Sequence, residues 1–279
     1  MEPVLLKDIY PGVALQEYVQ KYQVIRFVFD TAVVPPVKFH TPRPEHTITF
    51  YTRDAQRFSP VRSDHAITYP HCVVNGIYTI PLKRYGGYDF LAIKVVLQPT
   101  TLSRLRIAEV KELTDTFKDA RDCLGIELSV LQEKLFRMNE LRSMISTIEV
   151  FLLDLIKKRC KPAEPIDKAS IYLIRHENRV SIDWLADQSC LSVRQFIRRF
   201  EEQVGVSPKM FQKILRFDRA YRLKNNHPEL DWLHIALACG YYDYQHLVKD
   251  FKEFTNLTPP AFYEVEKASP ERTFALHEG

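Results

Sequence analysis

Leu185-Ala186-Asp187-Gln188-Ser189-Cys190-Leu191-Ser192 decides the reading of the C-terminal half, because it returns in degenerate form as Ile235-Ala236-Leu237-Ala238-Cys239-Gly240-Tyr241-Tyr242-Asp243. Both copies continue alike. The first runs on through Phe200, Ser207-Pro208 and Phe211, the second through Phe251, Thr258-Pro259 and Phe262. Phe and Pro stand eight residues apart in each copy, whereas Ala186 to Phe200 is one residue shorter than Ala236 to Phe251. Each copy therefore reads as a short helix with a small buried residue, a tight turn, and a second, capped helix, which is a helix-turn-helix. Alanine fits because two helices cross closely there. Gly240 fits a turn that needs a positive φ; Cys190 takes that place in the first copy, at some strain. Ser181, Ser192, Ser207 with Pro208, and Thr258 with Pro259 read as helix starts.

Residues 208–224 (PKMFQKILRFDRAYRLK) carry helical periodicity through Phe211, Leu215, Phe217 and Leu223. Seventeen residues make a rod of roughly 25 Å. That is the order of length needed to hold two reading heads about one turn of DNA apart, ~34 Å.

The remaining chain is ordinary globular material. It has 279 residues, 46% hydrophobic and 27% charged, with a net charge of +4. That length predicts two domains. Residues 161–279 hold 17 basic and 17 acidic side chains, leaving 22 and 18 before them. A basic surface in the C-terminal part must then come from placement. Five widely spaced cysteines without a CxxC favour reduced thiols over disulfides or zinc. No apolar run approaches the ~20 residues of a membrane span, and no secretory signal is visible, so a cytoplasmic location is expected.

Up to about residue 100 the sequence is β-rich: 22–30 (YQVIRFVFD), 46–51 (HTITFY), 73–80 (VVNGIYTI) and 90–97 (FLAIKVVL), separated by Pro and Gly. A short helix is expected at 14–21 and another near 105–113. From 127 to 158 Leu128, Leu131, Leu135, Met138, Leu141, Ile145, Ile148, Leu152 and Leu155 form one apolar stripe, in one helix or in two broken near Asn139. The stripe packs on its own β domain, or pairs two copies of the chain, or both. Two prolines in 159–168 mark a linker. The expected fold is α+β in two domains: a β-rich domain with helices at its end over 1–158, and an all-α domain over 169–279.

Residues 180–262 resemble the DNA-binding domain of the AraC/XylS family of transcription regulators. The resemblance rests on Arg194-Gln195-Phe196-Ile197-Arg198-Arg199-Phe200, Gly205-Val206-Ser207-Pro208, Leu215-Arg216-Phe217-Asp218-Arg219-Ala220, and Ile235 through Leu247 ending at Leu257-Thr258-Pro259. Cys190, Asn256 and Tyr244-Gln245-His246-Leu247 depart from the family's usual residues. Residues 13–30 and 98–125 are similar to the N-terminal domain of a bacteroidete-type subgroup, and the resemblance implies a barrel-like sensor and dimerisation domain over 1–158. The resemblance implies base contacts by Arg194, Gln195 and Arg198 in the first unit and by Tyr244, Gln245 and Lys249 in the second. It implies phosphate contacts by Arg199, Lys213 and Lys252. It also implies double-stranded DNA and RNA polymerase as partners, a homodimer, a small-molecule effector, no membrane partner and a leaning to activation.

Each role has a plainer rival. Arg194 and Arg198 would suit a solvated helix face. Gln195, three residues after Ser192, would suit a capping box. Tyr244 would suit packing. Arg216 and Asp218-Arg219 suit ion pairs within their helix, and Trp184 and Trp232 suit the core.

In the N-terminal half Phe27, Phe29, Phe50, Tyr51, Tyr69 and Tyr78 are candidates to line an apolar ligand pocket, or plain barrel core. No His-x-His, GxSxG, HExxH or phosphate loop occurs, so no metal, cofactor or catalytic residue is expected and the chain reads as a non-enzyme. The alternative is a DNA-targeted enzyme or thiol-reactive sensor, with Pro70-His71-Cys72 its place of chemistry. A buried strand cysteine is the plainer reading of Cys72.

Overall fold

The computed structural model describes residues 2–61, 65–176, 180–274 and 276. Its strands are β1 (Val4–Ile9), β2 (Val19–Val28), β3 (Val37–His40), β4 (His46–Tyr51), β5 (Arg57–Pro60), β6 (Ile67–Thr68), β7 (Cys72–Asn75), β8 (Leu82–Tyr85), β9 (Asp89–Leu97) and β10 (Phe117–Asp119). Helix α1 (Thr101–Arg104) precedes the last strand. After it come α2 (Ala120–Leu124), α3 (Ile126–Arg137), α4 (Leu141–Arg159), α5 (Pro165–Arg175), α6 (Ile182–Gln188), α7 (Val193–Val204), α8 (Pro208–Asn226), α9 (Trp232–Ala238), α10 (Tyr244–Thr255), α11 (Pro259–Glu266) and α12 (Pro270–Thr273). The fold is thus β-rich and then all-α.

Two antiparallel sheets form the β part, one in the order β1-β2-β9-β4-β7-β10 and one in the order β3-β8-β5-β6. Side chains alternate between faces along a strand, and here both faces are covered. In β9, Leu91, Ile93, Val95 and Leu97 join one core, while Phe90 and Ala92 join an aromatic core shared by the two sheets. Ile48 lies opposite both Val95 and Val74, so the three strands agree in register.

Helices α3 and α4 close the first core. Leu128, Leu131, Leu135, Met144, Ile145, Ile148, Leu152 and Leu155 are buried against the six-stranded sheet. The stripe therefore packs on its own domain, and it is divided at 138–140, with Glu140 capping α4 through the amides of Arg142 and Ser143.

Three expectations fail locally. Residues 14–21 form only a 3-10 turn at Val13–Leu15, after which β2 begins, and β1 comes before them. Leu15, Val19 and Tyr22 are all buried and stand four and three apart, which imitates a helical stripe across a turn and a strand. The strand expected at 73–80 ends at Asn75, because the Gly76 backbone runs against Leu113: a Cβ there would lie 2.0 Å from the Leu113 carbonyl oxygen. The helix expected at 105–113 is only a 3-10 turn at Val110–Leu113; the helical turn α1 ends before it at Arg104, and Arg106 at φ 49° lies between them.

The helical part has its own core, built on phenylalanine. Phe211 of α8 meets Phe200 of α7 at 5.6 Å between ring centroids. Phe217, six residues on, meets Phe251 and Phe254 of α10 at 4.8 and 5.1 Å. One helix thereby serves both helix-turn-helix cores. Aromatic pairs at such distances add about 0.5–1.5 kcal/mol each beyond simple burial.

Candidate nucleic-acid interface

The two helix-turn-helix units are built alike down to their hydrogen bonds. Residues 181–190 and 231–240 share one burial pattern, with Leu185-Ala186 matching Ile235-Ala236 and Ser189 matching Cys239 inside. The Leu191 amide donates to the Ala186 carbonyl and the Tyr241 amide to the Ala236 carbonyl, both at 3.0 Å. This is the six-to-one closure of a helix by a left-handed residue. That residue is Gly240 at φ 79° in the second unit and Cys190 at φ 53° in the first.

The caps match too. Ser181 accepts from the Trp184 amide and Ser192 from the Gln195 amide, while Asp231 and Asp243 do the same for α9 and α10. Thr258 holds the start of α11 without a side-chain cap bond. The extra residue in the second unit sits in its turn, between Gly240 and the cap Asp243.

These caps fix which faces look outward. On α7, Phe196, Phe200 and Val204 point into the core, while Arg194, Gln195 and Arg198 are exposed. Positions 194 and 198 share one face of the helix. On α10, Leu247, Phe251 and Phe254 point in, and Gln245, Lys249 and Lys252 are exposed. Tyr244 is half-buried and packs on the helical core.

The Gln195 carboxamide oxygen accepts from the Ser192 amide at 3.0 Å, closing a capping box and leaving its NH2 group outward. Arg199 lies 3.9 Å from Glu164. Lys213 is drawn inward, 3.5 Å from Asp250 and 2.5 Å from Glu253. Asp250 is buried and also takes Arg216 at 2.7 Å, whose guanidinium stacks on Tyr241. The Arg216 pair thus spans two helices, while Asp218 pairs with Arg222 within α8. Trp184 departs from the core reading: it is 41% exposed and leans on Tyr172. Trp232 is half-buried, 5.4 Å from Phe251.

A cleft of about 790 Å³ separates α8 from α9 and α10, lined by Lys209, Gln212, Arg219, His246 and Lys249. From sequence, none of Lys209, Arg219 and His246 is assigned to contacts with a ligand, and Arg219 is given only an ion pair. The signal was available, since 209, 212, 213, 216 and 219 recur at three or four residues opposite Phe211, Ile214 and Phe217. Backbone amides at the start of α8 and these cations together suit phosphate oxygens.

In the N-terminal half the pocket candidates do not form one surface. Phe50 and Tyr51 are neighbours on β4 and face opposite ways: Phe50 lies in the core beneath the helices, Tyr51 in the aromatic core. Tyr51 and Tyr69 stack at 6.0 Å, and Tyr69 reaches Tyr78 through their hydroxyls, as packed core. Phe27 and Phe29 do line a cavity, together with Lys38, His40, Arg43, Arg84 and Lys94, a basic lining that sequence did not reveal. Cys72 is fully buried, and burial pushes its thiol well above the ordinary range, the opposite of an activated thiolate. Among the described residues no group of three His, Cys, Asp or Glu could hold a metal ion, and no helix is long and apolar enough to cross a membrane.

Residues 185–264 match the family model of a helix-turn-helix domain. The chain is 33% identical over 82 residues to the HTH-type transcriptional activator RhaS of Escherichia coli, 29% of each chain. It is 33% identical over 87 residues to an HTH-type transcriptional regulator of Haemophilus influenzae, 31% of this chain and 28% of that one. The C-terminal region is an AraC-type helix-turn-helix domain. The match spans less than a third of the length of these curated relatives. Among solved structures, an apo ToxT variant from Vibrio cholerae aligns over 88% of this chain and 97% of its own, at 12% identity and a TM-score of 0.49. The DNA-binding domain of AdpA in complex with a target DNA aligns over 38% of this chain and 96% of its own, at 22% identity and a TM-score of 0.35. The matched residues 185–264 run from α6 to α11 and so take in α8 between the two units.

Proposed function

We propose that the chain is a sequence-specific transcription regulator that sets α7 and α10 into successive major grooves of double-stranded DNA. The carrying observation is the pair of equivalently capped units on one rod, with Arg194 and Arg198 exposed four residues apart. Arginine pairs with guanine and glutamine with adenine through two hydrogen bonds, discriminating by about 1–3 kcal/mol each. Arg194, Gln195 and Arg198 read one half-site; Gln245 and Lys249, with Tyr244 at the edge, read the other. Lys209, Arg199, Lys213 and Lys252 lie toward the backbone, Lys213 only after leaving Asp250 and Glu253.

Residues 1–158 act as the sensing and dimerising domain, 159–168 as the connection, and 169–279 as the reading head. The exposed Val130 and Val150, flanking the groove between α3 and α4, offer the face on which two copies pair. Activation through RNA polymerase follows from the family resemblance. The buried, unactivated Cys72 weighs against the thiol-reactive alternative.

Selection of binding sites from a random duplex pool, repeated with Arg194→Ala/Arg198→Ala, tests the reading. The parent yields a two-part motif, and the variant loses preference in one part only. A variant that binds the parent's sites as tightly as the parent does overturns the contact assignment. Log affinity should fall with log salt at a slope of about −0.9 per phosphate contacted.

A further inference from the structure

Phe274 and Glu271 belong to the segment that follows the helix-turn-helix units, yet both lie on the β domain. The Phe274 ring stacks on Phe27 at 5.6 Å, 10° from parallel, and meets Phe29 at 5.3 Å. The Lys38 ammonium reaches Glu266 at 3.1 Å and Glu271 at 3.2 Å, and both carboxylates are buried. Pro270 and Glu271 form part of the wall of the cavity described above. With this segment in place the cavity holds only about 60 Å³, room for a few waters.

The lining is basic. Arg43 and Lys94 are buried, and Arg84 projects in beside them. Glu45 pairs with Lys94. The Nε of Arg84 is buried and has no hydrogen-bond partner among the described residues. A guanidinium nitrogen buried without an acceptor is costly, and an anion beside it would relieve that cost. Opposite them, Phe27, Phe29 and Phe90 supply an apolar wall. The segment meets this surface with one carboxylate and one aromatic ring, three residues apart.

We propose that this cavity is an effector site for a small carboxylate with an aromatic or alkyl body, and that the chain's own Glu271 and Phe274 hold it shut until such a ligand displaces them. The segment is the template for the ligand: its acid takes Lys38, its ring takes Phe27 and Phe29. A larger acid replaces both and extends its carboxylate to Arg84. Ligand and segment exclude each other, so binding frees α12, which leads directly from the AraC-type domain. The regulator reading is needed only to call the ligand an effector.

The test is calorimetric titration of the full chain with 3-phenylpropionate and with its uncharged amide. A segment docked more than nine-tenths of the time raises the apparent Kd at least tenfold. Glu271→Gln/Phe274→Ala should therefore bind 3-phenylpropionate at least tenfold more tightly than the parent. Arg84→Met in that background should lose at least tenfold, and the amide should not bind. A fluorine label on the Phe274 ring of the parent, read by NMR, should move to its solvent-exposed position at saturation and covers the case of a poorly folding variant. Equal affinity in parent and variant, equal binding of acid and amide, no binding to either protein, or an unmoved label overturns the proposal. None of these readouts involves DNA, so its failure leaves site selection by the regulator to be judged separately.

Discussion

The hydroxyl of Thr114, in the β domain, donates to the carbonyl of Gly205 at 2.8 Å, where α7 ends. Gly205 is the left-handed cap of that helix at φ 87°, and a Cβ there would lie 3.0 Å from the Val110 carbonyl oxygen. One end of α7 is therefore seated on the β domain. Thr114→Val keeps the shape and removes the donor. A drop of about 1 kcal/mol in unfolding free energy is expected by urea titration, the ordinary net worth of such a bond. An unchanged midpoint would mean that the seat is held by packing alone.

Gln195 closes a capping box and, in the proposed function, contacts a base; one substitution separates the two. Gln195→Glu keeps an acceptor for the Ser192 amide and places negative charge at a helix start, where it is favoured. It removes the NH2 group. Thermal stability should be unchanged or slightly raised, while discrimination at one base pair weakens by about 1–3 kcal/mol in competition binding. Lost stability with intact discrimination would reverse the assignment.

Cys190 occupies a left-handed turn that glycine adopts freely. Cys190→Gly should stabilise the protein by about 1 kcal/mol, and Gly240→Ala should destabilise it by about the same amount. Nothing lies within 4 Å of a Cβ built on Gly240, so that penalty is conformational and not steric. Differential scanning calorimetry on the pair checks both signs.

Phe217 touches Phe251 and Phe254 from the helix that also bears Phe211. Phe217→Ala should cost about 3–5 kcal/mol, the usual toll of emptying a buried aromatic site. Hydrogen exchange should quicken in α7 as well as α10, because α8 serves both cores. Loss of protection in α10 alone would show that the units fold independently.

His46 is buried at the start of β4, its Nδ1 2.9 Å from the Pro99 carbonyl. Burial pushes the imidazole down to about 4, against the opposing pull of that backbone bond. The unfolded chain, with an ordinary imidazole near 6.5, then binds the proton first. Stability is fully present above about 6.5 and falls as pH drops from there toward 4, by about 3 kcal/mol in all. His46→Gln should flatten this slope in denaturant titrations across that window. An unaltered slope would assign it to other groups.

The helix-turn-helix units were legible because their determinants are local. Caps, a left-handed turn position and a Phe-to-Pro interval lie within a few residues of one another. Arg194, Arg198, Gln245 and Lys249 fell on outward faces for the same reason. What sequence could not supply was pairing across distance. Arg216 crosses to Asp250, Lys213 is held by Asp250 and Glu253, and Lys38 meets carboxylates more than two hundred positions away. Aromatic content marked the β domain as a core, but the sheet register decided that Phe50 and Tyr51 part company and that Arg84 and Lys94 look inward. The same locality misled at 14–21, where a turn and a strand reproduce the spacing of a helix.

Helices α7 and α10 are capped alike but carry different side chains, and their units are tied to the β domain differently, the first where Thr114 meets Gly205 and the second through Glu266 of α11. In the proposed complex a duplex lying across them would be traversed with a polarity: one end would meet an arginine pair, the other a glutamine and a lysine. Turning the same base pairs end for end presents each head with the other's letters. Under that proposal even a single chain would distinguish upstream from downstream.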